Sequence, residues 1–370
     1  MRKHGTAVHE PLFHMAKRAN LVWWKAWLIR IIAVVAALVL SGVVTILFTG
    51  ENPLGVYATM IEGAFGTSRR IWGLLQNLAM LLCISLAVTP AFKMKFWNIG
   101  AEGQVLIGGL ATATCMIFLG DKVPSALLIL IMLVTSMLAG AVWAIIPAVF
   151  KAQYSTNETL FTLMMNYIAI QIVSYFTYQW SVPKGSGQIG IINGKTEAGW
   201  LPSLAGKDYL INIIIVAALT VAMYIYLKYS KQGYEISVVG ESQNTAKYIG
   251  INVKKVIIRT MAVSGALCGV TGMLLVAGKD HSINTNLVGG QGFTAILMSW
   301  LGQFNPFIMV IMTAIVVFLR IGVSKVADSS FLNSSFSEIM VGIVILMLVG
   351  CEFFIHYSIR FRHKNKEVKA

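Results

Sequence analysis

The amino-acid sequence predicts an all-α fold: a polytopic membrane helix bundle of about 10 transmembrane helices, with both termini cytoplasmic. Composition is the first observation behind this prediction. Of the 370 residues, 57% are hydrophobic and only 12% are charged, whereas a soluble domain carries roughly 25% charged residues. The second is the mean hydropathy of +0.74. The third is that apolar runs of roughly 20 residues, the length that crosses a bilayer, recur along the whole chain.

The apolar runs place the helices in order along the sequence. The eighth run is short and rich in glycine, so it is also compatible with a re-entrant or half-crossing segment. The first run follows a basic segment and has no small-x-small cleavage pattern close behind it, which indicates a retained helix. The predicted helices lie near 28–48, 71–92, 98–119, 125–150, 158–182, 209–229, 257–277, 287–302, 306–324 and 337–357.

The distribution of basic residues predicts the orientation, because Lys and Arg are enriched in cytoplasmic loops. With a cytoplasmic N-terminus, 20 of the 29 Lys and Arg residues fall inside and nine outside. Eight crossings would keep the same end orientation. The predicted organisation is a cytoplasmic segment 1–27, a transmembrane domain 28–357 with a large polar inner loop at 230–256, and a basic cytoplasmic tail 358–370.

The net charge of +14 needs no nucleic-acid partner. The basic residues lie in short loops and at the two ends, without the basic face that nucleic-acid binding requires. Contact with anionic membrane lipid explains them better. The four cysteines are far apart within or beside apolar runs, which predicts isolated buried thiols. They are Cys83, Cys115, Cys268 and Cys351.

The first polar cluster is N-I-G-A-E-G-Q at 98–104. Asn98 and Glu102 lie four residues apart and would share one face of a helix, and Gln104 adds a second amide. Polar groups in lipid usually face a partner helix or a wet cavity. Two interpretations stay open. The cluster borders a polar pathway, or Asn98 caps the helix while Glu102 balances its positive end or pairs with a nearby lysine.

The second cluster opens the next long run, as N-E-T-L…L-M-M-N-Y at 157–167. Thr156 or Asn157 can cap this helix, with Glu158 in its first turn. Asn166 lies deeper and shares a face with Thr162. A buried asparagine needs hydrogen-bond partners, so Asn166 either pins two helices together or lines the same polar pathway.

The third cluster lies within the inner loop 230–256. Ser242 or Asn244 can start a short helix that runs to about Tyr248, and Gly250 would end it. A short helix at the membrane surface in the largest inner loop is typical of a docking element for a partner. The predicted docking residues are Gly240, Glu241, Thr245, Ala246, Tyr248 and Gly250.

The fourth cluster is rich in glycine, beginning G-G-Q-G at 289–292. No Lys-Ser/Thr pair follows, which excludes a nucleotide-binding P-loop. A sharp turn into a short helix fits better. Just upstream, Gly265 and Gly269 have the G-x-x-x-G spacing, with Gly272 a turn further on, which predicts tight helix packing.

Together and in this order, the clusters resemble the permeases of ABC importers for simple sugars and nucleosides, which are related to the branched-chain amino-acid permeases. The run at 98–104 is the most specific match, and it and the run at 157–167 look most like the nucleoside-type branch. The resemblance covers roughly residues 70–350 and leaves the N-terminal extension outside. The other matching runs are G-E-S-x-x-T-A-K-Y-I-G-I-N-V at 240–253, S-G-A-L-C-G-V-T-G at 264–272, G-x-G-F-T-A-I at 290–296 and L-G-Q-F-N-P at 301–306.

The resemblance implies a multi-pass protein of a prokaryotic plasma (inner) membrane. It implies that two permease chains, identical or paralogous, form the channel. Two ATP-binding-cassette ATPase domains would dock on the inner loops, and an extracytoplasmic solute-binding protein would deliver the solute. The solute pathway residues are then expected to be Asn98, Glu102, Gln104 and Asn166. Without a Walker A sequence, the chain is expected to be no enzyme itself, because ATP hydrolysis belongs to the partner chains.

Other functional classes compete with this interpretation. A branched-chain amino-acid permease would need charged or helix-end partners for a zwitterion, and the sequence locates none. An ion-coupled secondary transporter usually carries mid-membrane acids, but the acidic residues of the apolar runs lie near helix ends. A membrane enzyme would need a constellation of reactive side chains. The six histidines lie in loops or at helix or chain ends without metal spacing, so we expect no metal and no cofactor.

Overall fold

A computed structural model describes residues 13–17, 22–49, 52–181, 183–184, 186–187, 189–204, 206–329 and 334–361. Within these ranges the chain forms thirteen α-helices and two short strands. The first seven helices are α1 (Trp23–Thr49), α2 (Pro53–Phe65), α3 (Ser68–Lys93), α4 (Ala101–Leu119), α5 (Ser125–Tyr154), α6 (Glu158–Trp180) and α7 (Leu210–Tyr229). The others are α8 (Lys231–Glu241), α9 (Gln243–Tyr248), α10 (Val253–Leu275), α11 (Gln291–Leu301), α12 (Pro306–Ser329) and α13 (Ser334–His356). The strands are β1 (Phe13–Lys17) and β2 (Tyr357–Phe361).

The polytopic helical class is confirmed. In the described part of the chain, eight helices are long and apolar enough to cross a membrane: α1, α3 to α7, α10 and α12. The apolar stretches Leu54–Phe65 and Ile339–Ile355 are shorter. The glycine-rich eighth predicted helix is α11, which has 11 residues. At 1.5 Å per residue it spans about 16 Å, roughly half the hydrocarbon core. The number of crossings and the orientation of the ends remain predictions.

The chain divides into two compact units. The first contains residues 1–60 and 322–370. Within it α1 packs against α13, and β1 pairs antiparallel with β2. The guanidinium of Arg30 donates two hydrogen bonds to the carboxylate of Glu352, at 2.8 and 2.6 Å. The beginning of α1 therefore lies beside the end of α13, so the two described ends of the chain lie together.

The second unit contains residues 61–321. Helix α10 lies at its centre and packs against α3, α4 and α5, while α6 packs on α4, α7 on α3 and α11 on α3. Most of α10 is buried, and from Thr260 onwards its residues are hydrophobic or small on every side. A helix that is apolar all round is typical of the interior of a bundle.

Glycine allows the closest contacts in this second unit, as the G-x-x-x-G spacing predicted. A Cβ atom at Gly265 would collide with the carbonyl oxygen of Gly140 on α5, and one at Gly269 with that of Ser136. A Cβ atom at Gly272 would meet the carbonyl oxygen of Val105 on α4. Any side chain at these positions would push the helices apart, so α4, α5 and α10 touch through their backbones.

Three features differ from the sequence prediction. Helix α2 lies in a segment for which no helix was predicted, because its 13 residues are shorter than the apolar run of roughly 20 that crosses a bilayer. The β1–β2 pair lies in two predicted polar tails, and strands of five residues leave almost no periodic signal. The inner loop 230–256 contains two helices, α8 and α9, where only the second was predicted.

Candidate functional site

The connector between α3 and α4 carries the most specific sequence motif and is fixed by an amide pair. Asn98 is fully buried. Its Oδ1 accepts hydrogen bonds from Gln104 Nε2 at 3.0 Å and from the Gly100 backbone N–H at 3.1 Å. Its Nδ2 donates to Gln104 Oε1 and to the Ser264 hydroxyl on α10, both at 3.3 Å. The pair joins the connector to α4 and α10.

The structure corrects two details of the helix start. Helix α4 begins at Ala101, and its N-cap is Gly100 without a side-chain hydrogen bond. Asn98 therefore lies in the connector and does not cap the helix, nor does it share a helical face with Glu102. The connector turns sharply, with Lys95 at a φ of 60°. This turn lies in the gap between the predicted helices 71–92 and 98–119, and α4 starts three residues later than predicted.

Asn166 ties α6 to the same connector. Its Oδ1 accepts from the Gly103 backbone N–H at 2.8 Å, and its Nδ2 donates to the Ile99 carbonyl oxygen at 2.9 Å. Thr162, one turn earlier, accepts from the Ile99 backbone N–H at 3.2 Å. Both side chains face inwards, and Asn157 caps the helix by accepting from the Leu160 backbone N–H, as predicted. These bonds satisfy backbone groups that a connector in lipid would otherwise leave unpaired.

Glu102, in the first turn of α4, contacts a different helix and holds the start of α11. Its two carboxylate oxygens accept hydrogen bonds from the backbone N–H groups of Gly290 and Gly292, each at 2.9 Å. Gly290 has a φ of 73°, and a Cβ atom at Gly292 would lie 2.7 Å from Glu102 Oε2. Glycine is needed at both positions, and a negative carboxylate is well placed against the positive end of a helix. Among the described residues, no lysine forms an ion pair with Glu102.

The four predicted pathway residues thus lie around one connector. Asn98, Gln104 and Asn166 are buried, and their amides bond to groups of the chain itself. In this conformation they hold α4, α6 and α10 together at the connector, which we call the joint. Glu102 attaches the start of α11 to the same joint. The sequence placed Thr162 on the face of Asn166 but did not identify its partner Ile99. It gave no role to Ser264, whose one available signal was a hydroxyl residue inside an apolar run.

A second site lies in the inner loop. Ser230 caps α8 by accepting from the Gly233 backbone N–H, and Glu235 of α8 forms an ion pair with Arg259 of α10 at 2.8 Å. A Cβ atom at Gly240 would collide with the carbonyl oxygen of Lys93, at the end of α3. Helix α8 is therefore held tightly against α3 and α10.

Helix α9 follows at once, and of the two starts that the sequence allowed, Ser242 and Asn244, the structure has the first. Ser242 caps it by accepting from the Thr245 backbone N–H at 3.2 Å, and it ends at Tyr248. Gly250, at a φ of 85°, redirects the chain towards α10. Positive φ costs an L-residue about 1–2 kcal/mol, so glycine suits this turn.

The side chains of α9 are strongly divided between interior and solvent. Ala246 is fully buried in a hydrophobic cluster with residues of α3, α5, α8 and α10, among them Ala144, Ile236 and Met261. Tyr248 is 92% exposed. Glu241 and Thr245 are also exposed. One small residue thus anchors α9, and a large aromatic side chain extends from it.

Residues 189–204 of the loop predicted to lie outside pack against the far end of α10. That helix continues into a π-helical turn, Val276–Asp280. The Ala277 carbonyl oxygen accepts from the Leu201 backbone N–H at 2.9 Å. The ring of Trp200 stacks on that of His281, with centroids 3.8 Å apart. Burial lowers the pKa of His281, against the opposing effects of Asp280 and two other acidic groups. We call residues 189–204 with His281 the outer cap.

One further prediction, that of buried thiols, is confirmed. All four cysteines are free and buried. Within the described residues, no group of three or more His, Cys, Asp or Glu side chains is arranged to hold a metal ion.

Comparison with known proteins agrees with the motifs. The chain is 27% identical over 366 residues to the glucose ABC transporter permease protein of Haloferax volcanii, covering 95% of each chain. It is 27% identical over 338 residues to the guanosine ABC transporter permease protein of Bacillus subtilis, covering 90% of this chain and 94% of the relative. It is 29% identical over 288 residues to the nucleoside ABC transporter permease protein of Lactococcus lactis, covering 75% and 79%. No solved structure is significantly similar to the chain.

The model of one protein family matches residues 70–349, which include the connector, α9 and α11. The chain therefore belongs to the family described as the permease component of the branched-chain amino acid transport system.

Proposed function

We propose that this chain forms the solute pathway of an ATP-binding-cassette importer for a nucleoside or a simple sugar. The observation that carries the proposal is the construction of α9. A helix of 6 residues is capped by Ser242, anchored by Ala246 and left with Tyr248 exposed. Such a helix is stable without a partner, and it presents a surface to one.

The need for ATP hydrolysis during transport indicates which partner proteins the chain requires. The chain lacks a Walker A sequence, so ATP must be hydrolysed by separate subunits. Two ATPase domains would bind the α9 surface of two permease chains, identical or paralogous, and an extracytoplasmic binding protein would deliver solute. Because α8 and α9 pack on α3 and α10, closure of the ATPases would be transmitted to the bundle and alternate the access to the pathway.

The relatives favour a neutral solute. Those that cover 75 to 95% of this chain are named for glucose, guanosine and nucleosides, which supports these classes over branched-chain amino acids. Asn98, Glu102, Gln104 and Asn166 would contribute to the pathway chiefly by fixing the connector and the start of α11, since their polar atoms bond within the chain.

The test uses the complete transporter in proteoliposomes, with labelled nucleosides, glucose and leucine as separate probes. We expect ATP-driven uptake of a nucleoside or of glucose. The Tyr248→Ala variant should lower both uptake and solute-stimulated ATP hydrolysis about tenfold, as loss of an aromatic interface anchor does. The control is Tyr154→Ala, which removes another exposed tyrosine, 69% accessible and outside the inner loop.

Each outcome has a clear meaning. Equal activity of Tyr248→Ala and Tyr154→Ala would reject the docking role of α9. Uptake driven by a proton gradient without ATP would reject the importer, and uptake of leucine alone would reject the proposed solute class.

A further inference from the structure

Helix α6 has two chemically different faces. One face packs on α4 through small or inward-facing residues, including Asn166, Ala169 and Val173. The other is exposed and carries an unusual number of hydroxyl and amide groups for a membrane-spanning helix. Its exposed polar residues are Tyr167, Gln171, Ser174, Tyr175, Tyr178 and Gln179.

The position of these groups along the span decides which of them lie in the middle of the membrane. Residue 169 is the middle of α6, so Tyr167 and Gln171 lie about 3 Å from the midpoint along the helix axis. Tyr178 and Gln179 lie at the end, where tyrosine belongs to the aromatic belt of any membrane protein. Tyr167, Gln171 and Tyr175 are spaced four residues apart and form one stripe, which we call the α6 stripe.

The neighbouring span gives an internal comparison. Between residues 127 and 150, the exposed side chains of α5 are all apolar, for example Val134, Leu138 and Val142. That face suits hydrocarbon. On α6, no described residue forms a hydrogen bond with the side chains of the α6 stripe. An unpaired amide at mid-membrane is costly in lipid and usually faces a wet cavity or a partner.

The bulk of the side chains favours a pathway wall over a contact with a second helix. Helices in membranes associate through small residues, and those of this chain already join α4, α5 and α10. The α6 stripe is bulky and borders an open groove of about 460 Å³. The groove is lined by Tyr167, Ile168, Gln171, Ile172, Tyr175 and Phe176. Because α6 alone lines this groove, the groove can form one wall of a pathway but does not enclose a solute.

The lining also indicates the class of solute. It contains three aromatic rings, one amide and no charged side chain. Tyr175 and Phe176 meet edge to face, with centroids 5.4 Å apart, which orders both rings. Aromatic faces stack on a planar base irrespective of its identity, and a glutamine amide both donates to and accepts from a base edge. A sugar, with hydroxyls on all sides, would need more polar partners than one amide and two phenols.

We propose that the α6 stripe is the mid-membrane wall of the solute pathway and that it binds a nucleoside by stacking and by one amide contact. This rests on the proposed importer function and narrows its solute class. The contacts are few, as transport requires, because a tightly bound solute would not leave.

The position of the stripe is tested without any transport assay. In the complete transporter in membranes, Gln171→Cys is treated with a charged, membrane-impermeant thiol reagent. The matched control is Leu138→Cys, which is equally near the middle of its span and 59% exposed on α5. The four native cysteines are buried and should stay unmodified. We expect rapid modification of Gln171→Cys, protection by millimolar adenosine, and no modification of Leu138→Cys.

Other results would overturn the inference. Equal, slow modification at both positions would assign the α6 stripe to lipid, and a disulfide between two copies at residue 171 would assign it to a chain–chain contact. Protection by glucose but not by adenosine would exclude a nucleoside as the solute. Tyr167→Cys repeats the measurement should Gln171→Cys fail to assemble.

An uptake assay completes the test. Tyr167→Ala and Tyr175→Ala should each reduce adenosine uptake about tenfold, while the phenylalanine variants should retain most of it, because stacking needs the ring. Unchanged uptake in both alanine variants would contradict the stacking role. If the unmodified transporter imports nothing with ATP, the proposed function fails, whereas the labelling result still reports where the stripe faces.

Discussion

The Oδ1 atom of Asn166 accepts a hydrogen bond from the backbone N–H of Gly103 across the α4–α6 contact, at 2.8 Å. The other end of the same amide donates to the carbonyl oxygen of Ile99. One side chain thus replaces water for two backbone groups of a buried turn. A Cβ atom at Gly103 would lie 2.9 Å from that Oδ1, so the glycine and the asparagine fit only as a pair.

Asn166→Ala should destabilise the protein by about 1–3 kcal/mol, because it leaves a buried N–H and a buried C=O without partners. Thermal unfolding in detergent measures the loss. Gln171→Ala, one turn further on the exposed face, is the control and should leave the midpoint unchanged. If both variants unfold at the wild-type temperature, the amide does not hold the joint.

Glu102→Gln should loosen the start of α11. Gln keeps one accepting oxygen but presents an NH₂ group to the second backbone N–H, and a charge-assisted hydrogen bond of about 1.5–3 kcal/mol is lost. Faster hydrogen exchange in residues 290–300 is the expected signal. Glu62→Gln serves as control, since that side chain is 70% exposed. Unchanged exchange at 290–300 would show that the carboxylate does not restrain α11.

Gly240→Ala should separate α8 from the end of α3, because the new methyl group would meet the Lys93 carbonyl oxygen. Overpacking of this kind costs about 1–3 kcal/mol, and coupling of ATP hydrolysis to uptake should fall with it. Gly73→Ala is the matched control, because nothing lies within 4 Å of a Cβ atom there. That variant should be neutral or slightly stabilising. Similar melting and coupling in the two variants would contradict the close contact.

Arg30→Ala should destabilise the first unit by about 3–5 kcal/mol, since it leaves the carboxylate of Glu352 buried without its cation. The side chains of the pair are only 6% and 16% exposed. The double variant Arg30→Met with Glu352→Met should recover most of the loss, because two apolar groups need no ion partner. Thermal melting of Arg30→Met alone and of the double variant separates pairing from packing, because both variants fill the space of Arg30 and only the single variant removes the cation from the carboxylate.

The outer cap should loosen in acid. Burial holds the pKa of His281 below its ordinary value of 6.5, although Asp280, Glu197 and Asp208 act in the opposite direction. Between the two pKa values the unfolded cap binds more protons than the folded cap, so the stabilisation is complete above pH 6.5 and declines as the pH falls. Relative to the intrinsic exchange rate at each pH, hydrogen exchange of residues 189–204 should therefore accelerate from pH 8 to pH 5, with the pH dependence of about one proton. In His281→Gln the acceleration should disappear, and its persistence would assign it to another group.

The order of the long helices could be predicted from the sequence, because long apolar runs are a strong signal. It also predicted the existence and the end of α9, with Ser242 as one of two possible caps, since local capping chemistry decides a short helix. The conformation of the connector was harder to predict. Asn98 was expected at a helix start, but its amide partner is Gln104 and its third contact is Ser264, 166 residues away. Side-chain pairing across helices leaves no local pattern.

The exposed face of α6 was missed for a similar reason. Its tyrosines are spread through an apolar run, and only the packing of Ala169 and Val173 against α4 shows which side they occupy. The two short strands and α2 were missed because they are too brief for periodicity. Helix α8 was taken as loop, since four of its first five residues are polar or glycine.

The backbone contacts of Gly265, Gly269 and Gly272 have a mechanical consequence. Side chains can change rotamer to absorb sliding between helices, but touching backbones have no such freedom. Helices α4, α5 and α10 should therefore move as a single rigid body during a transport cycle. The displacement must then be taken up where contacts run through side chains, at α6 and α11, and these are the helices whose motion a spectroscopic label should follow.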